Sequence, residues 1–284
     1  MSTLFYDPAQ PGVARETLTA LGASPNKTLS QNFLVDAEII ENTVRAAQIQ
    51  KSDTVLEIGP GLGALTVRLL RDGGQIVSIE KDRAFAAFLR NKLRGPQFSL
   101  VEGDALDVDW RDLKLPETQV KLVANLPFSI SKPMLRRIME EWRPHLSSAT
   151  VLLQREVADR LISQPGTREY GPLTIMSALY ARVSRAFDVP PEAFLPPPNV
   201  VSSVVHIELL DAPTLALKNE KFFWQVVRAA FSQRRKTLGN TMKMVAPREI
   251  TSPAFEKLNI DPMRRGETLS LLEFSDLSEA LETK

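Results

Sequence analysis

The sequence predicts an α/β fold, a mostly parallel sheet with helices on both faces, followed by a small helical domain. Three observations lead there. Short apolar runs alternate with helical periods at βα spacing between residues 54 and 162, and a sheet covered on both sides is the economical way to bury such runs. Polar side chains stand at or near the carboxyl ends of four successive runs, Glu57, Glu80, Asp104 and Asn125. That is the edge at which open α/β sheets bind ligands. Beyond Pro190 the alternation gives way to prolines, one β-rich run and several short helical patterns.

In chain order, residues 34–47 have helical spacing, with Leu34, Ile39, Ile40 and Val44 inward and Asp36 as the cap. Strand 54–58 ends at glycines and leads into helix 64–71. Strand 76–79 and helix 83–93 follow, then strands 98–101 and 120–124, helix 133–140, strand 149–153 and helix 155–162. Residues 190–199 are excluded from helix and central strand because their prolines lack donors and restrict their neighbours. Residues 200–210 read as an antiparallel strand returning to the sheet. Helical patterns at 222–232, 235–242, 252–258 and 270–277 complete the chain. The boundary is expected at 210/211, with a ligand-binding domain over 1–210 and a helical domain over 211–284.

Composition narrows the function classes. The 284 residues are 43% apolar and 24% charged, as in an ordinary soluble globule. No apolar stretch approaches the length of a membrane span, and residues 1–10 lack the pattern of a secretory signal. A cytoplasmic protein without membrane partners is the simplest fit. Cysteine is absent and histidine occurs only at positions 145 and 206. Disulfides, thiol nucleophiles and the usual soft-metal sites are thereby excluded, so no metal is expected. The net charge of +1 conceals an asymmetry, since residues 221–243 contain no acid but include Arg228, Arg234, Arg235, Lys236 and Lys243. Such a stretch can focus a positive field on one face.

The glycines Gly59, Gly61 and Gly63 after a strand imply a tight turn that lets a ligand approach the backbone. Taken alone they suit a nicotinamide dinucleotide as well as S-adenosylmethionine, because Gly59, Gly61 and Ala64 also satisfy the dinucleotide pattern. Three features favour S-adenosylmethionine. An anion at Glu57 sits badly against a pyrophosphate but suits a cationic methionyl end. Asp104 can accept from an adenine amine. No hydride partner is evident. Glu80 then takes the ribose hydroxyls, with Asp82 as a weaker competitor. Upstream, Gln31 and Asn32 can hold the cofactor carboxylate while Phe33 and Leu34 pin the segment. Lys27 suits either an RNA phosphate or the methionyl end.

Asn125-Leu-Pro-Phe128 points to chemistry on an exocyclic amine of a flat base. The Asn125 Oδ and the Leu126 carbonyl can accept both amine hydrogens, Pro127 stiffens the backbone, and Phe128 offers a face for stacking. A lone Phe128 would more simply fill a core gap; after Asn-Leu-Pro the stacking role is favoured. Phe194 can cover the other face of the base or merely anchor its loop. Arg234, Arg235 and Lys236 read either as a phosphate-binding surface or as a solvated basic helix.

The stretches Ser30-Gln-Asn-Phe-Leu34, Glu57-Ile-Gly-Pro-Gly-Leu-Gly63, Glu80-Lys-Asp82, Gly103-Asp-Ala105 and Asn125-Leu-Pro-Phe128 recur together. They are followed by Gln154-Arg-Glu-Val-Ala158, Tyr170-Gly-Pro-Leu173, Phe194-Leu-Pro-Pro-Pro-Asn-Val-Val-Ser202 and Phe231-Ser-Gln-Arg-Arg-Lys-Thr-Leu238. In this order and over nearly the whole chain, they resemble the ribosomal RNA adenine dimethyltransferase family. The resemblance implies a Rossmann-like class I methyltransferase domain with a mostly parallel seven-stranded sheet, and a C-terminal helical domain that binds RNA or the ribosome. It implies transfer of methyl groups from S-adenosylmethionine to N6 of two adjacent adenosines in the 3′-terminal hairpin of small-subunit (16S) rRNA. The substrate would be an immature small ribosomal subunit and the enzyme a monomer.

By the same resemblance Gln31, Asn32, Leu34, Gly59, Glu80, Asp104 and Asn125 contact the cofactor, and Glu57, Gly61 and Ala105 complete that set. Leu126, Pro127 and Phe128 hold the target base, where many relatives have tyrosine in place of Phe128. Macrolide-resistance enzymes that methylate a large-subunit adenine share this core. The loop at 196–202 and the segment at 233–238 favour the small-subunit enzymes.

Overall fold

Val55, Leu56 and Ile58 are almost wholly removed from solvent, the near-continuous apolar pattern of a strand covered on both faces. The computed structural model describes residues 6–23, 31–117 and 119–282. Its elements are α1 (Pro11–Ala20), β1 (Phe33–Leu34), α2 (Ala37–Ala46), β2 (Thr54–Ile58), α3 (Ala64–Asp72), β3 (Gln75–Glu80), α4 (Arg83–Lys92), β4 (Phe98–Glu102) and β5 (Val120–Asn125). Next come α5 (Ser131–Arg136), β6 (Leu146–Gln154), α6 (Arg155–Leu161), α7 (Pro172–Tyr180), β7 (Ala181–Val189), β8 (Phe194–Leu195) and β9 (Ser202–Leu209). The chain ends with α8 (Glu220–Phe231), α9 (Leu238–Thr241), α10 (Arg248–Lys257) and α11 (Leu271–Leu281).

Seven strands form one sheet in the order β4-β3-β2-β5-β6-β9-β7. Strands β2 to β6 pair in parallel, and β9 runs antiparallel to β6, as the sequence predicts for residues 200–210. Strand β2 lies beside both β3 and β5. The chain therefore runs outward from β2 to β4 and returns to the opposite side at β5. Such a reversal opens a crevice beyond the carboxyl ends of β2 and β5. A two-stranded pair, β1 with β8, joins Phe33 to Leu195 and Leu34 to Phe194.

Local chemistry explains the element ends. Asp36 accepts from the amides of Glu38 and Ile39 at the start of α2, and Asp82 from those of Ala84 and Phe85 at the start of α4. Ser270 and Glu273 form a reciprocal capping box on α11.

The structure departs from the sequence reading in several places. The helix expected at 133–140 is α5 followed by a π turn, Arg137–Glu141. There the Arg137 guanidinium donates to the Ala105 and Val108 carbonyls at 2.9 and 2.6 Å. Arg137 thus holds the loop after β4 and is not part of a free basic surface. Arg143 likewise donates to the carbonyls of Leu210 and Asp211. The helix expected at 235–242 shrinks to α9, and Arg234, Arg235 and Lys236 lie in a turn.

By contact density the chain divides into two compact units, 1–158 with 182–211, and 159–181 with 212–284. One crossing falls between Asp211 and Ala212. Residues 159–181, which a linear reading leaves in the first domain, belong with the C-terminal helices. The reason is α7, whose side chains are apolar nearly all round and which packs on α8 and α11. No helix among the described residues is long and apolar enough to cross a membrane.

Candidate active site

The loop after β2 is built around left-handed glycines, with φ of +66° at Gly59 and +53° at Gly61. A Cβ on Gly61 would stand 3.1 Å from the Phe33 ring, whereas one on Gly59 would meet nothing within 4 Å. The space beside Gly59 is thus open to a ligand that comes up against the backbone. The Gly61 amide donates to Glu80 Oε2 at 3.0 Å, and the Asp82 amide to Glu80 Oε1 at 2.8 Å. Asp82 is itself committed to capping α4, which leaves Glu80 as the carboxylate facing the cleft. Each Glu80 oxygen retains a lone pair for a further donor.

Glu57 is buried beneath this turn at 1% exposure. Its Oε2 accepts from the Thr66 and Ser78 hydroxyls, both at 2.8 Å. Its Oε1 is buried without a protein partner. Burial pushes the Glu57 carboxyl up to about 7, the two hydroxyls oppose the shift, and the nearby Glu80 charge adds to it. Burial also raises Glu80, against its backbone donors.

At the end of β5, Asn125 Nδ2 donates to the Asn32 carbonyl at 3.2 Å. A carbonyl can only accept, so this bond assigns the nitrogen end of the amide and leaves Oδ1 as the free acceptor. Leu126 is buried, Pro127 and Phe128 are half-buried. Ser131 and Ile130 close the turn by donating to the Phe128 and Pro127 carbonyls.

These groups share one cleft that is partly open to solvent. Of the residues singled out from sequence, Gln31, Asn32, Leu34, Glu57, Gly59, Gly61, Glu80, Asn125, Leu126, Pro127, Phe128 and Phe194 line it. Asp104 and Ala105 do not. Asp104 sits after β4, where its carboxylate accepts from Lys81 at 2.7 Å and from the Leu106 amide at 2.9 Å. Arg234, Arg235 and Lys236 belong to the other unit. Lys27 and Ser30 lie outside the described residues. Neither histidine lines the cleft: His145 stacks on Trp110 and His206 bonds to Thr150.

A family profile described as "Ribosomal RNA adenine dimethylase" matches residues 22–282. The chain belongs to the ribosomal RNA adenine dimethylase family. It is 42% identical over 259 residues to "Ribosomal RNA small subunit methyltransferase A" of Clostridium perfringens (strain SM101 / Type A), covering 90% of each chain. A protein of the same name from Magnetococcus marinus is 43% identical over 259 residues, covering 90% of this chain and 92% of its own. Among solved structures, a dimethyladenosine transferase from Plasmodium falciparum superposes with a TM-score of 0.72 at 26% identity, covering 84% of this chain and 94% of that one. The 23S rRNA methyltransferase ErmE gives 0.66 at 24% identity, covering 88% and 99%, and shares the class I methyltransferase fold.

As a member of the ribosomal RNA adenine dimethylase family the chain is an S-adenosylmethionine-dependent rRNA adenine dimethyltransferase. The cleft fits that cofactor on its own chemistry. Two carboxyl groups raised by burial favour a ligand that brings hydroxyl donors and positive charge, and they oppose the pyrophosphate of a dinucleotide. The unpartnered Glu57 Oε1 supplies an acceptor for such a donor.

Ala64, of the dinucleotide pattern, also lines the cleft; Pro60, Leu62, Leu65 and Phe85 line it without having been singled out from sequence. Pro60, Leu62 and Leu65 stand within or just beyond the glycine motif. Phe85 lies in α4 with no signal beyond its apolar period. Nothing in the spacing of Arg137 signals that its guanidinium turns inward to the Ala105 and Val108 carbonyls.

The Glu57 site gives a pH test. Its folded-state pKa is raised above the ordinary 4.5 to about 7, so its contribution to stability is complete below 4.5 and is lost as pH rises through 7. In urea unfolding without cofactor, wild-type stability minus that of Glu57→Gln should fall from pH 4.5 to 8, by on the order of 2–3 kcal/mol. Parallel pH profiles would remove the assignment.

Proposed function

We propose that this enzyme transfers methyl groups to N6 of two adjacent adenosines in the 3′-terminal hairpin of small-subunit rRNA, giving N6,N6-dimethyladenosines. Its substrate is an immature small ribosomal subunit, and it works as a monomer in the cytoplasm. The relatives at 42–43% identity are small-subunit rRNA methyltransferases, which supports the small-subunit target. One geometric observation carries the chemistry, the fixed orientation of the Asn125 amide.

S-adenosylmethionine, when bound, supplies an electrophilic methyl on a good leaving group. The difficulty is the nucleophile, since the adenine N6 lone pair is conjugated into the ring. Asn125 Oδ1 and the Leu126 carbonyl accept the amine hydrogens and hold N6 in the geometry that frees the lone pair. Pro127 keeps the carbonyl in place, and Phe128 presents a ring face worth roughly 1–3 kcal/mol per stacked base. No strong general base is required, because nitrogen becomes acidic once it has gained the methyl. Positioning and preorganised dipoles therefore dominate. A target within structured RNA must leave its stack to enter the cleft.

On the cofactor side, Glu80 receives the ribose hydroxyls and Glu57 faces the cationic methionyl end. Gln31 and Asn32 hold the carboxylate, with Leu34, Gly59 and Gly61 shaping the wall. Asp104 and Ala105 extend the site beyond β4 toward the adenine. Phe194, 2% exposed in the main core cluster, walls the base side. The helical unit binds rRNA. Arg234 donates to the Arg168 carbonyl, and Arg235 and Lys236 stand exposed without an ion pair among the described residues. They suit phosphate contacts that position without selecting a base.

Tritiated methyl transfer to undermodified small and large subunits, followed by mapping of the modified nucleotides, tests the whole reading; label on large-subunit RNA alone would overturn it. Asn125→Ala should lower methyl transfer about 100-fold or more while S-adenosylhomocysteine binds nearly as before. Retained turnover would contradict the role given to the amide. Arg235→Ala should weaken subunit binding and reduce its salt slope by about one, with cofactor affinity unchanged. An unaltered slope would place Arg235 outside the RNA footprint.

A further inference from the structure

Residues 6–20, which end with helix α1, precede the family match, which begins at residue 22. Yet they are built into the back of the glycine turn. The Tyr6 hydroxyl donates to the Leu62 carbonyl at 2.9 Å, within the turn and next to Gly61. The Tyr6 ring is held edge-on to Phe88 at 5.5 Å, with the Lys92 ammonium 4.8 Å over its face. Asp7 bonds Arg68 on α3 at 2.8 Å. Ala14 and Leu18 of α1 join a buried cluster with Phe33, Val35, Leu62 and Phe85. Three of those residues, Phe33, Leu62 and Phe85, also line the cleft.

We infer that Tyr6 is a positioning residue for the cofactor site, and that residues 6–20 act as a strap fixing the glycine turn from behind. The route is short. Leu62 is 2% exposed, so its carbonyl has no access to water and depends on the tyrosine for a donor. The adjoining Gly61 amide donates to Glu80 Oε2. A turn that loses its hold at Leu62 shifts Gly61 and, through it, the carboxylate assigned to the ribose. Burial pushes the Tyr6 hydroxyl up to about 12, which keeps it a donor throughout the working range. The Tyr6 hydroxyl itself bonds the glycine turn and makes no bond to the turn after β5. Tyr6 therefore governs cofactor affinity and leaves the chemical step alone.

This inference rests on the cleft being the cofactor's seat. The test uses the full chain and Tyr6→Phe, which keeps the ring contacts and removes only the hydroxyl. Calorimetric titration with S-adenosylhomocysteine should show about a fivefold weaker Kd for the variant. With undermodified small subunits, KM for S-adenosylmethionine should rise in step, while kcat at saturating cofactor stays within about twofold. A purely structural role would instead lower the melting temperature and leave the Kd unchanged, which would overturn the inference. So would a fall in kcat at unchanged KM. Deletion of residues 1–20 should weaken binding further than Tyr6→Phe; a folded deletion variant with wild-type affinity would equally sink the strap. Failure of the unaltered chain to bind S-adenosylhomocysteine would overturn the cofactor reading itself, and the strap with it.

Discussion

One hydrogen bond, from the Asn125 side chain to the Asn32 carbonyl, decides what the cleft can do. It joins the end of β5 to the segment that enters α2, and these elements are far apart in sequence. Without it the amide is free to flip, and a nitrogen facing the cleft would repel the amine that the proposed reaction brings there. With it, the acceptor end is fixed before any substrate arrives, which is the preorganisation on which dipolar catalysis depends. The same segment is held on its other side by β1–β8 pairing and by the Val35 amide on the Ala193 carbonyl at 2.8 Å. The two walls of the cleft, one upstream of the sheet and one in the proline-rich loop, are therefore a single hydrogen-bonded piece.

The sheet supplies the other half of the arrangement. Because β2 has β3 on one side and β5 on the other, the glycine turn and the Asn-Leu-Pro-Phe turn emerge side by side. One end of the sheet thus gathers a carboxylate, Glu80, and an amide with its oxygen free to accept, Asn125. Glu57 adds a destabilising element to the unliganded protein, a buried carboxyl with one oxygen unmet. Such strain is characteristic of binding sites, where the ligand completes what the fold leaves open.

The parallel strands were legible in the sequence because each is a short apolar run closed by a polar or glycine residue. Their ends set the positions of Glu57, Glu80, Asp104 and Asn125, and three of those four face the cleft. The elements that escaped notice lack such contrast. Helix α7 is buried nearly all round and so shows no stripe. Strand β7 alternates, but with arginine, serine and alanine on its exposed side it does not read as strongly β-prone. The β1–β8 pair is two residues long on each side, set wholly by tertiary contact. Residues 235–237 have ordinary helix propensity, yet the Leu238 and Gly239 amides bond the Arg264 and Pro262 carbonyls, and the chain turns just before them. Propensity yields to that demand.

The helical unit has a consequence for how the protein is made. It is assembled from two stretches of chain separated by β7, β8 and β9. Tyr170 gives its hydroxyl to the Leu269 carbonyl, and the Gly166 amide bonds that of Glu267, both at 2.7 Å. During translation, α7 is synthesised with its apolar surface uncovered, and the chain must complete three more strands before α8 and α11 arrive to shelter it. The nascent chain therefore carries a sticky intermediate until α8 and α11 have left the ribosome. A transcript truncated just after β9 would keep that surface exposed for good.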